Sequence, residues 1–406
     1  MRLKLLSHDF FPFLITAMFA ILVAPEADSQ IRKQASSSTA APGESIGPSQ
    51  PDGGPRRMMR PPEGFPEAKE IAPPKNDEEL AAAIKKLADK LAATGRFSGS
   101  ILLAADGKTL VDAAWGEADR EQKVANTPET AYDIGSIGKL FTQIAILQLA
   151  DAGKLKLDDT VGKYLSSYPN SEVPGKVTIE QLLRHRSGIP DVFAQITPES
   201  QISSKRELKD FLPLFADKPL EFAPGSAEHY SSSGYIVLGL VIEALGGENY
   251  YSYVDRHILK PAGMTHSGFF AREHLPRTVA HSYDEGRDVT GMHPVRGTPA
   301  GGLQASSGDL LGLVRGINAG KLLNPESVRI LNGLVPRPPD APAPVDENKL
   351  IGYGLQGGAP GVNAQLVIDP MGRYTRVILC NGSPPMATSM GTTIRKWMRS
   401  WPGSGS

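Results

Sequence analysis

Ser136 and Lys139 belong to the one S-x-x-K in the chain, Ser136-Ile137-Gly138-Lys139. Side chains three apart on a helix share a face, so the lysine can reach the serine hydroxyl. A lysine buried there loses part of its preference for the charged state and can accept a proton, which makes the serine a nucleophile. Chance alone would give a chain with this much Ser and Lys roughly one such spacing. Position therefore matters more than presence. The motif opens a strongly apolar helix, directly after Tyr132-Asp133-Ile134-Gly135. Free N–H groups at a helix N-terminus can stabilise an oxyanion as the serine attacks a carbonyl. A second cluster, Tyr230-Ser231-Ser232-Ser233-Gly234-Tyr235, follows Pro224-Gly225 and precedes another apolar helix.

The elements that must carry these residues are readable from period and punctuation. Asn76 with Glu79 caps a helix whose apolar positions are Leu80, Ile84, Leu87 and Leu91, with Gly95 as its stop. Residues 97–104 and 109–115 flank Asp106-Gly107, the strongest short hairpin signal. Residues 361–368 and 373–380 flank a second turn at Asp369-Pro370-Met371-Gly372, and a helix over 388–401 follows. The middle supplies helices over 137–152, over TIEQLLRHR behind Thr178, over 234–245 and over 250–259. No internal repeat is visible. The expected fold class is α/β (α+β). The terminal segments would build one antiparallel sheet, packed against a helical region from the middle.

Four stretches in order, DIGSIGKLFTQIAILQLADAGKLKLDDTVGKYL, TIEQLLRHRSGIP, FAPGSAEHYSSSGYIVLGLVIEALGG and TPAGGLQASSGDL, resemble the class C β-lactamase and penicillin-binding-protein-like serine hydrolases. That family includes family VIII-type carboxylesterases and D-amino-acid peptidases, and the resemblance runs from about residue 80 to 398. It implies a β-lactamase/DD-peptidase-like fold. It also implies Ser136 as nucleophile, Lys139 as its deprotonating partner and Tyr230 as general base in acylation and proton donor to the leaving group. A phenol is a poor base at an ordinary pKa of about 10 unless a nearby ammonium stabilises the phenolate. Ser232 stands where many relatives carry Asn, able to bond Lys139 or substrate through fewer groups than an amide. The third family motif departs here. Relatives carry Lys-Thr-Gly or His-x-Gly, whereas the matching stretch reads Tyr353-Gly354-Leu355-Gln356-Gly357-Gly358-Ala359-Pro360-Gly361. Either Leu355 replaces the basic residue or a short strand segment is missing before Gln356. Gly357 and Gly358 remain as a source of the second oxyanion N–H, beside that of Ser136.

The 406 residues carry 43 Lys plus Arg against 44 Asp plus Glu, a formal net charge of -1 that offers no footprint for nucleic acid. One cysteine, Cys380, excludes a disulfide framework or cysteine-rich metal site within one chain. The eight histidines lack metal-ligand spacing, so neither metal nor other cofactor is expected. Among them, His185 reads as structural and His229 as a cleft or turn residue. Arg2 and Lys4 precede an apolar run at 10–24, then small residues Ala27 and Ser29. That is the layout of a secretory signal peptide over residues 1–29. Its apolar run spans about 22 Å as a helix, against a hydrocarbon core of about 30 Å. Residues 30–75, rich in Pro, Ser and Gly, read as a disordered linker. Residues 76–401 form the hydrolase domain, exported to the periplasm or secreted, with no integral membrane segment after cleavage. The expected activity is acyl transfer through Ser136 on small esters or amides. The alternatives are a β-lactamase or D-alanyl-D-alanine peptidase, and a catalytically silent member that binds cell-wall peptide or a protein partner. Oligomeric state is not readable.

Overall fold

Asp106 and Gly107 both take positive φ, 47° and 78°, the conformations a two-residue hairpin turn requires. They join β1 (Gly99–Ala105) to β2 (Lys108–Trp115). Near the other end of the chain β3 (Gly354–Ala359), β4 (Val362–Ile368) and β5 (Tyr374–Cys380) run as antiparallel neighbours. β5 then pairs with β1, from Gly99 opposite Cys380 to Ala105 opposite Tyr374. The sheet order is β2-β1-β5-β4-β3, so the two ends of the domain do build one sheet. This computed structural model describes residues 65–195, 201–335 and 345–400.

Helices in chain order include α1 (Asp77–Ala93), α2 (Lys139–Asp151), α3 (Ile179–Leu183), α4 (Ser232–Gly246), α5 (Ser307–Asn318) and α6 (Met386–Met398). All residues of β1 and β5 are buried, because both faces of the sheet are covered. Leu102, Ala104, Val377 and Leu379 face the larger core, which holds α2, α4 and α5. Ile101, Leu103, Ala105, Ile378 and Cys380 face the smaller core under α1 and α6. That two-sided burial explains why these strands read as continuous apolar runs, not alternating ones. Asn76 accepts Glu79 N–H at 2.8 Å to start α1, and Thr178 with Gln181 forms a reciprocal capping box on α3.

Several expected boundaries move, among them the C-terminal helix, which runs over Met386–Met398 and not over 388–401. The helix expected from residue 137 begins at Lys139, after a 3-10 turn over Gly135–Gly138. The helix expected over 250–259 is α-helical only over Tyr250–Val254 and continues as a π turn over Asp255–Leu259. The expected linker is ordered from Phe65. A 3-10 turn over Pro66–Glu70 lies between buried Phe65 and Ile71, both packed in the smaller core. Arg96 stacks over the Phe65 ring at 5.6 Å and pairs with Glu67, while Lys90 pairs with Glu70. Two isolated apolar residues suffice to dock this segment, and averaging over a Pro-rich stretch hides them. The expected signal segment, residues 30–64 and Trp401 lie outside the described residues. Among the described residues, no helix is long and apolar enough to cross a membrane.

If Phe65 anchors this segment, Phe65→Ala should lower the unfolding free energy in urea by about 3 kcal/mol, the usual cost of deleting a buried aromatic. A loss below about 0.5 kcal/mol, the range of a surface substitution, would mean that the segment merely rests on the domain.

Candidate active site

Ser136 sits in the 3-10 turn ahead of α2, and Lys139 is the first residue of the helix. A 3-10 turn has three residues per turn, so positions i and i+3 eclipse and the two side chains are brought into register. Lys139 Nζ donates to Ser136 Oγ at 3.3 Å and to the Ala300 carbonyl at 2.5 Å. Its side chain is 6% exposed. Tyr230, just before α4, completes the group: its hydroxyl is 2.7 Å from Ser136 Oγ. The Lys139 ammonium lies 4.8 Å from the Tyr230 ring centroid and 5.3 Å from that of Tyr235. Lys139, three residues away in sequence, and Tyr230, 94 away, thus converge on the Ser136 hydroxyl. A phenol and an ammonium within hydrogen-bonding reach of a serine can move its proton.

Glycines make the convergence possible. A Cβ on Gly357 would lie 1.9 Å from the Ile134 carbonyl and 3.0 Å from Ser136 N. One on Gly301 would lie 2.7 Å from the Gly135 carbonyl. Main chain from β3 and from the Thr298–Gly302 loop therefore closes directly on the serine turn. Of the two glycines expected to serve the oxyanion, Gly358 lines the cavity beside Ser136, and Gly357 forms the backbone contact behind it. The β3–β4 ladder runs without a register shift from Gly354 opposite Val367 to Ala359 opposite Val362, with Leu355 opposite Leu366. Leu355 stands in register and packs against the larger core, in place of a cation.

Ser232 lines the cavity, but it is engaged through its N–H by Asp191 Oδ1 at 3.0 Å, while Lys139 bonds Ser136 and Ala300. His229 is exposed, pairs with Glu221 and does not line the cavity. His185 is partly buried against Tyr230. Desolvation, and then the Lys139 charge, push its imidazole down to about 3. Two carboxyls that sequence reasoning missed also line the cavity. Burial raises both above the ordinary carboxylate range. His293 and the Gly135 N–H oppose this at Asp133, and the N–H groups of Ser232 and Phe193 and the charge of Lys139 do so at Asp191. Both adjoin residues read for other reasons: Asp133 precedes the serine turn, and Asp191 directly follows the RHRSGIP stretch.

The cavity measures about 580 Å³ and opens onto Ser136, Tyr230 and Gly358. Phe193, Ile202, Phe270, Leu275, Met292 and Val295 give it a mainly apolar wall. Nothing in their spacing marked them, because they come from loops that only the fold gathers. Among the described residues, no group of three or more His, Cys, Asp or Glu is placed to hold a metal ion.

A family model described as Beta-lactamase matches residues 82–396. PbpX of Bacillus subtilis (strain 168), named for the penicillin-binding proteins, is 32% identical over 236 residues, 56% of this chain and 56% of its own length. The chain thus spans about half the length of that curated relative. A penicillin binding protein from Bacillus halodurans shares 31% identity and superposes with a TM-score of 0.67, over 76% of this chain and 98% of that one. D-amino acid amidase from Ochrobactrum anthropi SV3, at 18% identity and a TM-score of 0.62 over 79% of this chain and 98% of that one, shares the fold. The family match covers all five strands of the terminal sheet and every residue gathered around Ser136, and on that extent the chain belongs to the beta-lactamase family.

Proposed function

We propose that the protein is an exported serine hydrolase that forms an acyl-enzyme on Ser136 and cleaves small esters or amides with an apolar group. The observation that carries this reading is the contact of Ser136 Oγ with Tyr230 Oη at 2.7 Å, with Lys139 Nζ at 3.3 Å from the same oxygen. Tyr230, as a phenolate whose charge Lys139 holds, takes the serine proton as Oγ attacks the substrate carbonyl. The N–H groups of Ser136 and Gly358 receive the oxyanion. Collapse of the tetrahedral adduct breaks the bond to the alcohol or amine, which leaves with the proton from Tyr230. Tyr230, now a phenolate again, takes a proton from the water that attacks the acyl carbonyl, and it returns that proton to Ser136 Oγ as the bond to the acid breaks. Export rests on the signal-like layout of residues 1–29.

Two features support ester cleavage over the other readings. The intact Ser136–Lys139–Tyr230 contacts support an active enzyme over a silent binding protein. Leu355, in register on β3, leaves that strand without a cation for the carboxylate of a penicillin or a peptide. The mainly apolar wall suits an apolar acyl or alcohol group.

Ser136→Ala should abolish both fluorophosphonate labelling and hydrolysis of a short p-nitrophenyl ester, with the thermal melt moved by only a few degrees. Undiminished hydrolysis in this variant would sink the assignment.

Lys139→Ala and Tyr230→Phe should each lower kcat/KM at least about a hundredfold, and the double variant should lose little more than either single one. Steady-state kinetics on the four proteins decides this; mild and additive losses would make the two residues structural neighbours only.

Wild type should favour a neutral ester over a cephalosporin. Leu355→Lys should recover roughly ten- to a hundredfold in kcat/KM for the cephalosporin, the worth of one charge-assisted hydrogen bond. A wild type that prefers the cephalosporin overturns this account of β3.

A further inference from the structure

His185 follows α3 with φ of 55°, in the left-handed region that few non-glycine residues occupy. From there it grips the segment that carries Tyr230 on both sides. Its carbonyl accepts His229 N–H at 2.9 Å, and its ring Nδ1 accepts Ser231 N–H at 3.2 Å. Between those two bonds its ring packs on the Tyr230 ring, with centroids 4.5 Å apart and planes 30° apart. The back of the assembly is also fixed. The His185 and Tyr235 rings lie 5.2 Å apart, and the Tyr235 hydroxyl donates to Leu183 O at 3.0 Å and accepts Gln143 Nε2 at 2.8 Å. By contrast, Tyr230 itself faces the open cavity.

We infer that His185 is a positioning residue: its neutral ring, with the proton on Nε2, clamps Tyr230 at hydrogen-bonding distance from Ser136. The inference rests on the reading of Tyr230 as the group that moves the serine proton. The tautomer follows from the bonds. Nδ1 accepts Ser231 N–H, so it carries no hydrogen, and protonating it would break that bond beside the Lys139 ammonium. A phenol freed from the clamp could swing into the cavity. Misplacement of a reacting group by about 1 Å can cost on the order of a hundredfold in rate.

His185→Asn keeps an acceptor for Ser231 N–H and tolerates the positive φ, but removes the ring. It should lower kcat for a neutral ester by about ten- to a hundredfold with KM nearly unchanged. In a Tyr230→Phe background the same change should have almost no further effect, because His185 acts through Tyr230. An equal loss in both backgrounds, or a loss carried by KM, overturns the inference. Nitrogen-15 NMR of wild-type protein is independent of any variant's folding and of any ester being turned over. The His185 ring should remain a neutral Nε2–H imidazole between pH 5 and 8, and protonation inside that range overturns it. Survival of ester hydrolysis in Ser136→Ala would instead remove the acyl-enzyme reading and leave the NMR result to judge the clamp.

Discussion

A buried ammonium has to be satisfied, and much of this structure is arranged around that one requirement. Lys139 begins a helix whose surroundings are apolar, in a position where an unpaired charge would cost several kcal/mol. Its hydrogen bonds go to a hydroxyl and a main-chain carbonyl, and its remaining field falls on two tyrosine rings. No carboxylate is among those contacts. A carboxylate partner would neutralise the lysine, whereas a hydroxyl and a phenol leave its charge available to whichever oxygen becomes an anion. Burial keeps the adjacent His185 imidazole neutral, and the same ammonium adds to that effect.

The second constraint is steric. An oxyanion site needs two main-chain N–H groups from elements remote in sequence to face one point, within a few tenths of an ångström. The sheet provides the rigid reference. β3 is held through β4 to β5, and β5 is buried on both faces. With β3 fixed, the approach of its main chain to Ser136 depends on the absence of side chains at Gly135, Gly301 and Gly357. Any Cβ at Gly357 would force β3 away from the serine turn and move Gly358 with it. Close packing of backbone on backbone thus sets the geometry in which the Lys139 charge acts.

Substrate preference follows from what surrounds that fixed centre. The wall built from Phe193, Ile202, Phe270 and Met292 is apolar, and the strand beside the nucleophile offers Leu355 in place of a cation. An apolar group gains by burial against that wall, while Asp133, Asp191, Arg272, His293 and Arg296 elsewhere on the lining offer partners to a polar one.

Local signals in the chain determined the hairpin at Asp106-Gly107 and the caps of α1 and α3 and singled out Ser136 with Lys139, while Tyr230 came from the family resemblance. Each local signal depends on a few neighbouring residues: two left-handed turn positions, a capping side chain, or a motif of fixed spacing. Residue types likewise identified Leu355 as a departure from the third motif. Only the tertiary structure decided that Leu355 stands opposite Leu366 on β4, because register is a property of two strands and not of one. It also decided that Phe65 and Ile71 belong to the core, that Gly358 faces the cavity, and that Asp133, Asp191 and the apolar wall belong to the site. For His185 the chain showed a histidine in a loop. Its bonds to residues 229 and 231 exist only because the fold brings the end of α3 beside the start of α4. Contacts between segments far apart in sequence leave no period or spacing to read, and most of this site consists of such contacts.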